Sequence, residues 1–270
     1  MRAWMCETCG TQFAPSAGQP PTCPICSDER QYVGWQGQRW TTMDQLARAH
    51  AVRFEEDGGL LGVGTSPSFA INQRALVLPT AGFRIMWEST SLVTPEAVAR
   101  LKEEGGVDLI AISHPHFYSA MTEWSEALGG VPIYLHEADA QWIMRPSRAI
   151  KLWSGEELRL SEGVTLLRCG GHFPGSTALH WQDANRPDGA LFPGDALQVV
   201  QDRKSVSFMY SYPNLIPMRP SEVEHIRKLL ARRAFQNVYG YTWGRNIIGN
   251  GRAAVDRSFH RYLHAVDAAA

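Results

Sequence analysis

A short unbroken apolar run, Leu109-Ile-Ala-Ile112, follows Gly105-Gly106 and ends in Ser113-His-Pro-His116. Its length and its lack of alternation predict a strand buried on both faces. Upstream, apolar runs at Leu60–Val63, Ser68–Ile71, Ala75–Leu78 and Arg84–Trp87, separated by turn residues, predict four strands. Thr94-Pro95 opens a helix to about Glu103, since proline suits the first helical position. Met121–Leu128 predicts a helix; Val131–Leu135, Val164–Leu167 and Thr177–Trp181 predict strands. Thr42-Met-Asp-Gln45 and Ser221-Glu-Val-Glu224 match the capping box and open helices to about Ala49 and Arg233. Val255, Phe259, Tyr262, Leu263 and Val266 recur at helical spacing, which predicts a last helix over Ala254–Val266. Ser205–Pro220 is rich in proline and aromatic residues and too irregular for one element.

Candidate chemistry gathers where apolar runs stop. If strand geometry persists, His114 and His116, two apart, point to the same side. Gly170-Gly-His-Phe-Pro-Gly-Ser176 and Phe192-Pro-Gly-Asp-Ala196 each set one metal-ligating side chain, His172 or Asp195, in a Gly/Pro-rich turn. Three imidazoles and a carboxylate hold Zn, Fe or Mn. Nearer the start, Cys6-x2-Cys9 and Cys23-x2-Cys26 form two knuckles with thirteen residues between them. In a reducing compartment that spacing reads as a tetrahedral four-cysteine site rather than two disulfides. A module of about forty residues cannot build a sufficient core, so the metal supplies its folding energy. The knuckles also look like rubredoxin, whose site holds iron. Zinc is the favoured ion, because Ser27-Asp-Glu-Arg30 departs from the small Gly-containing knuckle. The chain divides into a ribbon module at 1–40, a linker helix region at 41–58 and a large domain at 59–270.

Composition narrows the picture little. Hydrophobic content of 44% and charge of 20% are ordinary for a globular chain. A formal net charge of -1 gives no overall field toward nucleic acid or anionic membrane, and no basic-aromatic stretch marks a nucleic-acid face. No apolar run reaches the length of a membrane span. Met1-Arg-Ala-Trp-Met-Cys6 lacks the apolar core of a signal peptide, so a cytoplasmic setting is expected.

The ligand set, in this order, resembles the metallo-β-lactamase superfamily of metal-dependent hydrolases over roughly the last four-fifths of the chain. The family's first motif is His-x-His-x-Asp-His, followed by a Gly-His turn, a Gly-Asp turn and a final histidine. The resemblance implies an α+β fold, a four-layer αββα sandwich preceded by the zinc ribbon. It also implies first-site ligands His114, His116, His172 and Asp195, beside the ribbon ligands Cys6, Cys9, Cys23 and Cys26. Tyr118 and Ser119 stand where the family has Asp and His, and Asn237–Gly244 contains no histidine. The second site therefore retains Asp195 alone, and a single ion is expected. Catalysis then needs a loosely held Asp195 or a fifth ligand position. Tyr118, a phenol with pKa near 10, implies a hydrogen-bond donor to a carbonyl or oxyanion.

In the same frame Trp243 and Arg245, in the last motif loop, are substrate-binding candidates, with Arg245 suited to an anion. Ser205–Pro220 is a candidate substrate-facing wall. Glu88 stands where the family usually has aspartate and either holds a nearby loop or ligand or is solvated. His136 and Asp139 either stand behind the metal ligands or, the favoured reading, are caps or surface groups; His180 is expected as a satisfied strand residue, and His225, His260 and His264 as surface residues. The reading is a single-metal hydrolase of a small-molecule substrate. One alternative is a mononuclear non-haem iron oxidoreductase resembling persulfide dioxygenases. The other is a non-catalytic scaffold whose ribbon binds protein or nucleic acid, with a protein partner or a second copy favoured over nucleic acid.

Overall fold

The structure, a computed structural model, describes residues 1–267. The ribbon opens with β1 (Trp4–Cys6), continues through the short helix α1 (Pro24–Ser27) and closes with β2 (Trp40–Thr42), antiparallel to β1. Its small core is the four cysteines with Ile25, flanked by Phe13 and Trp40 and by Trp142 and Met144 of the large domain. Thr42 caps α2 (Met43–Ala49) by accepting the Gln45 N–H, as its sequence predicts.

The large domain begins earlier than its apolar pattern suggests. The strand β3 (Ala51–Asp57) turns through Gly58-Gly59 and pairs along its whole length with β4 (Leu60–Ser66). So the second half of the expected linker is an edge strand. Its positions up to Glu56 are exposed or half-buried, which hides it from an apolar reading. The strand expected at Ser68–Ile71 is instead a turn. Ala70 and Asn72 take positive φ of 51° and 59°, which reverses the chain toward β5 (Ala75–Pro79). Then come β6 (Arg84–Trp87), α3 (Pro95–Glu103), β7 (Leu109–Ala111), α4 (Met121–Ala127), β8 (Ile133–His136) and β9 (Ile150–Trp153). Strands β3 to β9 form one seven-stranded sheet in sequence order.

The second half supplies β10 (Glu157–Ser161), β11 (Val164–Arg168), β12 (Thr177–Trp181) and β13 (Ala190–Phe192). Two small hairpins follow: β14 (Gln198–Val199) with β15 (Val206–Ser207), and β16 (Met209–Ser211) with β17 (Ile216–Pro217). The chain ends in α5 (Pro220–Leu230), β18 (Asn237–Tyr239), β19 (Asn246–Ile247) and α6 (Gly251–Asp267). The second sheet runs β10-β11-β12-β13-β18-β19. The Ser221–Glu224 capping box is not used. Pro220 takes the first helical position after Arg219, so Ser221 already lies inside the first turn.

Strand alternation builds the layers. On β5, Leu76 and Leu78 face the second sheet while Val77 faces α3 and α4. On β13, Ala190 and Phe192 face the first sheet while Leu191 joins α5 and α6. The result is helix, sheet, sheet, helix. The ends of β7 and β13 and the β11–β12 turn meet at one rim, where the candidate ligands lie.

Candidate metal centres

At the rim, β7 stops at Ala111, three residues before the first histidine. His114 is extended, and Pro115–Phe117 forms a 3-10 turn, because proline can neither donate to a ladder nor leave φ near -65°. Strand geometry therefore does not persist through His116. The turn still brings the two rings together, with centroids 5.0 Å apart. His172 arrives from the β11–β12 turn and Asp195 from the turn after β13. Nε2 of His114 lies 3.6 Å from Asp195 Oδ2, and Nε2 of His172 lies 3.8 Å from it. Nε2 of His172 and Nδ1 of His116 are 3.3 Å apart. All four ligand atoms fall within 4.8 Å of one another.

Three of the four ligands, His114, His172 and Asp195, are aimed by a partner on the far side. Ser113 Oγ meets His114 Nδ1 at 2.7 Å, and the Tyr210 carbonyl meets His172 Nδ1 at 2.8 Å. The Gln198 amide donates to Asp195 Oδ1 at 2.9 Å, and the Tyr212 hydroxyl donates to the Asp195 carbonyl at 3.2 Å. Such outer contacts fix tautomer and ring direction in metal sites. Burial holds His114 and His172 down to about 3 and His116 well below its ordinary value, so all three imidazoles are neutral. His114 Nε2 is buried with no hydrogen-bond partner among the described residues. An inward-facing neutral nitrogen without a partner is what a bound cation satisfies. Ligand bonds of about 2.0–2.2 Å set tetrahedral edges near 3.4 Å, close to the spacings found. The donor set fits one divalent ion.

Glu88 sits below this site. It follows β6 at a positive φ of 70° and accepts the Ser113 N–H at 3.0 Å. Its other oxygen, Oε1, is buried with no partner among the described residues, and burial pushes the carboxyl up to about 8. Of the two sequence readings, it is the loop holder. Gly194 explains its own turn: a Cβ there would lie 2.3 Å from Ser113 Oγ. Asp139 accepts the Gly175 N–H at 2.8 Å and so braces the His172 turn; it is buried, not a surface cap. His136 does cap, accepting from Ala138, and His180 is satisfied by the Ala234 carbonyl at 2.8 Å.

The other sequence candidates lie elsewhere. Tyr118 packs in the apolar layer with Phe117, Met121 and Trp124, and no hydrogen bond joins its hydroxyl to the four ligands. Trp243 lies flat over Gly62 and Gly64 of β4, with the Arg53 guanidinium 4.2 Å above its ring. Arg245 donates to the Val199 carbonyl at 3.4 Å. Of the Ser205–Pro220 stretch, Tyr210 does reach the site. It lines a cleft of about 580 Å³ together with Arg30, Arg168, His172, Phe173 and His225.

The four-cysteine centre is equally compact. Cys6 and Cys26 Sγ are 3.5 Å apart, Cys9 and Cys23 Sγ 3.7 Å, and all four are buried. Zn–S bonds of about 2.3 Å set tetrahedral edges of about 3.8 Å. The cluster is consistent with a zinc ribbon.

The sequence is 40% identical over 270 residues to YmaE, an uncharacterized protein of Bacillus subtilis (strain 168), across 99% of this chain and 98% of that one. It belongs to the YmaE family. No family model matches this chain. Among solved structures, VMB-1 superposes with a TM-score of 0.58 at 13% identity, covering 81% of this chain and 98% of that chain. DIM-1 metallo-β-lactamase exposed to ceftazidime gives 0.55 at 14% identity, covering 77% and 95%. A B3 metallo-β-lactamase with an active-site glutamic acid gives 0.51 at 14%, covering 78% and 90%. At such identities the likeness is one of fold, so this YmaE relative has the metallo-β-lactamase fold.

Proposed function

We propose that this protein is a metal-dependent hydrolase of a small-molecule substrate, with one ion held by His114, His116, His172 and Asp195. One observation carries the reading: the ligand atoms of three neutral imidazoles and a carboxylate converge within 4.8 Å of one another, three of the four side chains braced from behind. Bound there, an ion supplies Lewis acidity and lowers the pKa of a coordinated water. The chain does the rest. Ser113 and Tyr210 hold the rings in place, Gln198 holds Asp195, and Phe117 and Phe173 pack edge-on against the imidazoles and keep water from their flanks. Zinc is the ion we favour, with iron or manganese compatible with the same donors. Five free cysteines suit a reducing, cytoplasmic setting.

The test pairs metal content with turnover on esters, thioesters, lactones and phosphodiesters. Hydrolysis lost on chelation and restored by one equivalent of ion supports the reading. A fully loaded protein inert toward all four classes removes it. Iron in the purified protein with oxidation of a persulfide would favour the oxidoreductase instead.

A second reading rests on burial. His114, His116 and His172 are 1–2% exposed and Asp195 6%. Four protein ligands around a tetrahedral zinc describe a closed, structural site. An ion that never binds azide or another small anion would favour that scaffold.

A further inference from the structure

The two metal centres are joined through the backbone of their own ligands. Gln73, just before β5, is 5% exposed. Its Nε2 donates to the Cys9 carbonyl at 2.6 Å and to the His116 carbonyl at 3.1 Å. One amide thus bridges a ribbon ligand and a sandwich ligand. A second link starts at Cys26. Four residues on, Arg30 donates from Nη1 to the His172 carbonyl at 3.3 Å. Its guanidinium lies 4.0 Å over Phe173 and is locked by Asp28, through Nε at 2.6 Å and Nη2 at 2.8 Å.

We propose that Gln73 and Arg30 are positioning residues that make the sandwich site's metal affinity depend on the loaded ribbon. The inference rests on the one-ion site proposed above, not on its being a hydrolase. The physical argument has two steps. The ribbon's core is the cysteines and Ile25, so without an ion nothing comparable orders the Cys9 carbonyl or the chain from Cys26 to Arg30. Releasing those groups takes the Arg30 donor from the His172 carbonyl and removes the Cys9 anchor that holds the Gln73 amide over the His116 carbonyl, so both turns lose part of their brace. Outer contacts of this kind change metal affinity about 10–100-fold. Linkage makes the effect mutual: an ion in the sandwich tightens the ribbon by the same factor.

The experiment uses the full chain, stripped in mild denaturant with chelator, refolded and titrated with cobalt(II). Thiolate-to-metal charge transfer reports the ribbon, and d–d bands of the nitrogen/oxygen site report the sandwich. Gln73→Ala and Arg30→Met should each weaken the sandwich site about 10–100-fold while leaving the thiolate bands intact. Cys23→Ser should weaken it by the same order in the parent chain, yet add little in the Gln73→Ala/Arg30→Met double variant. Such non-additivity marks a shared route, which general destabilisation does not produce. Asn214→Ala is the control. It cuts ribbon contacts to the Glu29 and Gln31 carbonyls without touching a ligand turn. It should leave sandwich affinity within twofold. Folded Gln73→Ala and Arg30→Met proteins with parental sandwich affinity overturn the proposal. So does an Asn214→Ala loss equal to theirs. A parent chain that fills only the ribbon overturns both the coupling and the one-ion site, whereas equal sandwich affinity with and without ribbon metal overturns the coupling alone.

Discussion

Asp139 Oδ1 accepts the backbone N–H of Gly175 at 2.8 Å, three residues beyond the ligand His172. Burial pushes this carboxyl up to about 7. A folded value above the unfolded one, about 3.9, favours the native state below pH 4. That contribution fades as pH rises through 7. Asp139→Asn keeps an acceptor but cannot titrate. Urea unfolding from pH 4 to 8 should show the parent losing stability relative to Asp139→Asn as pH rises. Parallel curves would refute this. Asp139→Ala leaves the Gly175 N–H unpaired and should cost about 1–3 kcal/mol.

Metal count is the next expectation: two ions per chain after dialysis against a weak chelator. His116→Ala should lose one and keep the ribbon's ion, and Cys23→Ser should lose the other. Tyr118 and Ser119 offer only neutral hydroxyls to a second sandwich ion, which are weak ligands for a divalent cation. Three tightly held ions by elemental analysis would sink the single-ion site.

Tyr118→Phe removes one hydroxyl from an apolar layer. With no hydrogen bond from that hydroxyl to the ligands, metal content should stay the same and stability should change by less than about 1 kcal/mol. Turnover on any substrate found should hold within twofold. A tenfold loss with the metal retained would give the phenol the donor role that its motif position implies.

Trp243 and β4 fit each other closely. A Cβ on Gly62 would lie 2.5 Å from the indole, and one on Gly64 2.7 Å. Gly62→Ala should therefore cost about 1–3 kcal/mol through overpacking. Trp243→Leu should relieve much of that cost, so the double variant should be more stable than the two losses predict. Simple additivity in thermal unfolding would show that the ring is not what fills the space.

The candidate ligands were legible because each is a rare residue type in a Gly/Pro-marked turn, in a telling order. Most of their braces were not, and Asp139, though a candidate, had nothing to lift it above a surface cap. Asp139 lies 33 residues before His172, and Gln73 acts on carbonyls, which every residue possesses. Edge strand β3 escaped because neither face is fully buried, so Arg53, Glu55 and Glu56 break its apolar pattern. Ser221 carried a capping signal that Pro220 pre-empted. The sheets themselves were readable where both faces are covered, as at Leu109–Ala111.

The ribbon's docking contacts also order events in time. Arg30 meets a carbonyl 142 positions later, and Asn214 reaches back 185 positions to Glu29. At roughly 5–20 residues per second, the ribbon waits on the order of ten seconds on the ribosome for its seat to be made. In the docked protein all four sulfurs are buried, so an ion held there is expected to exchange slowly once the seat has closed.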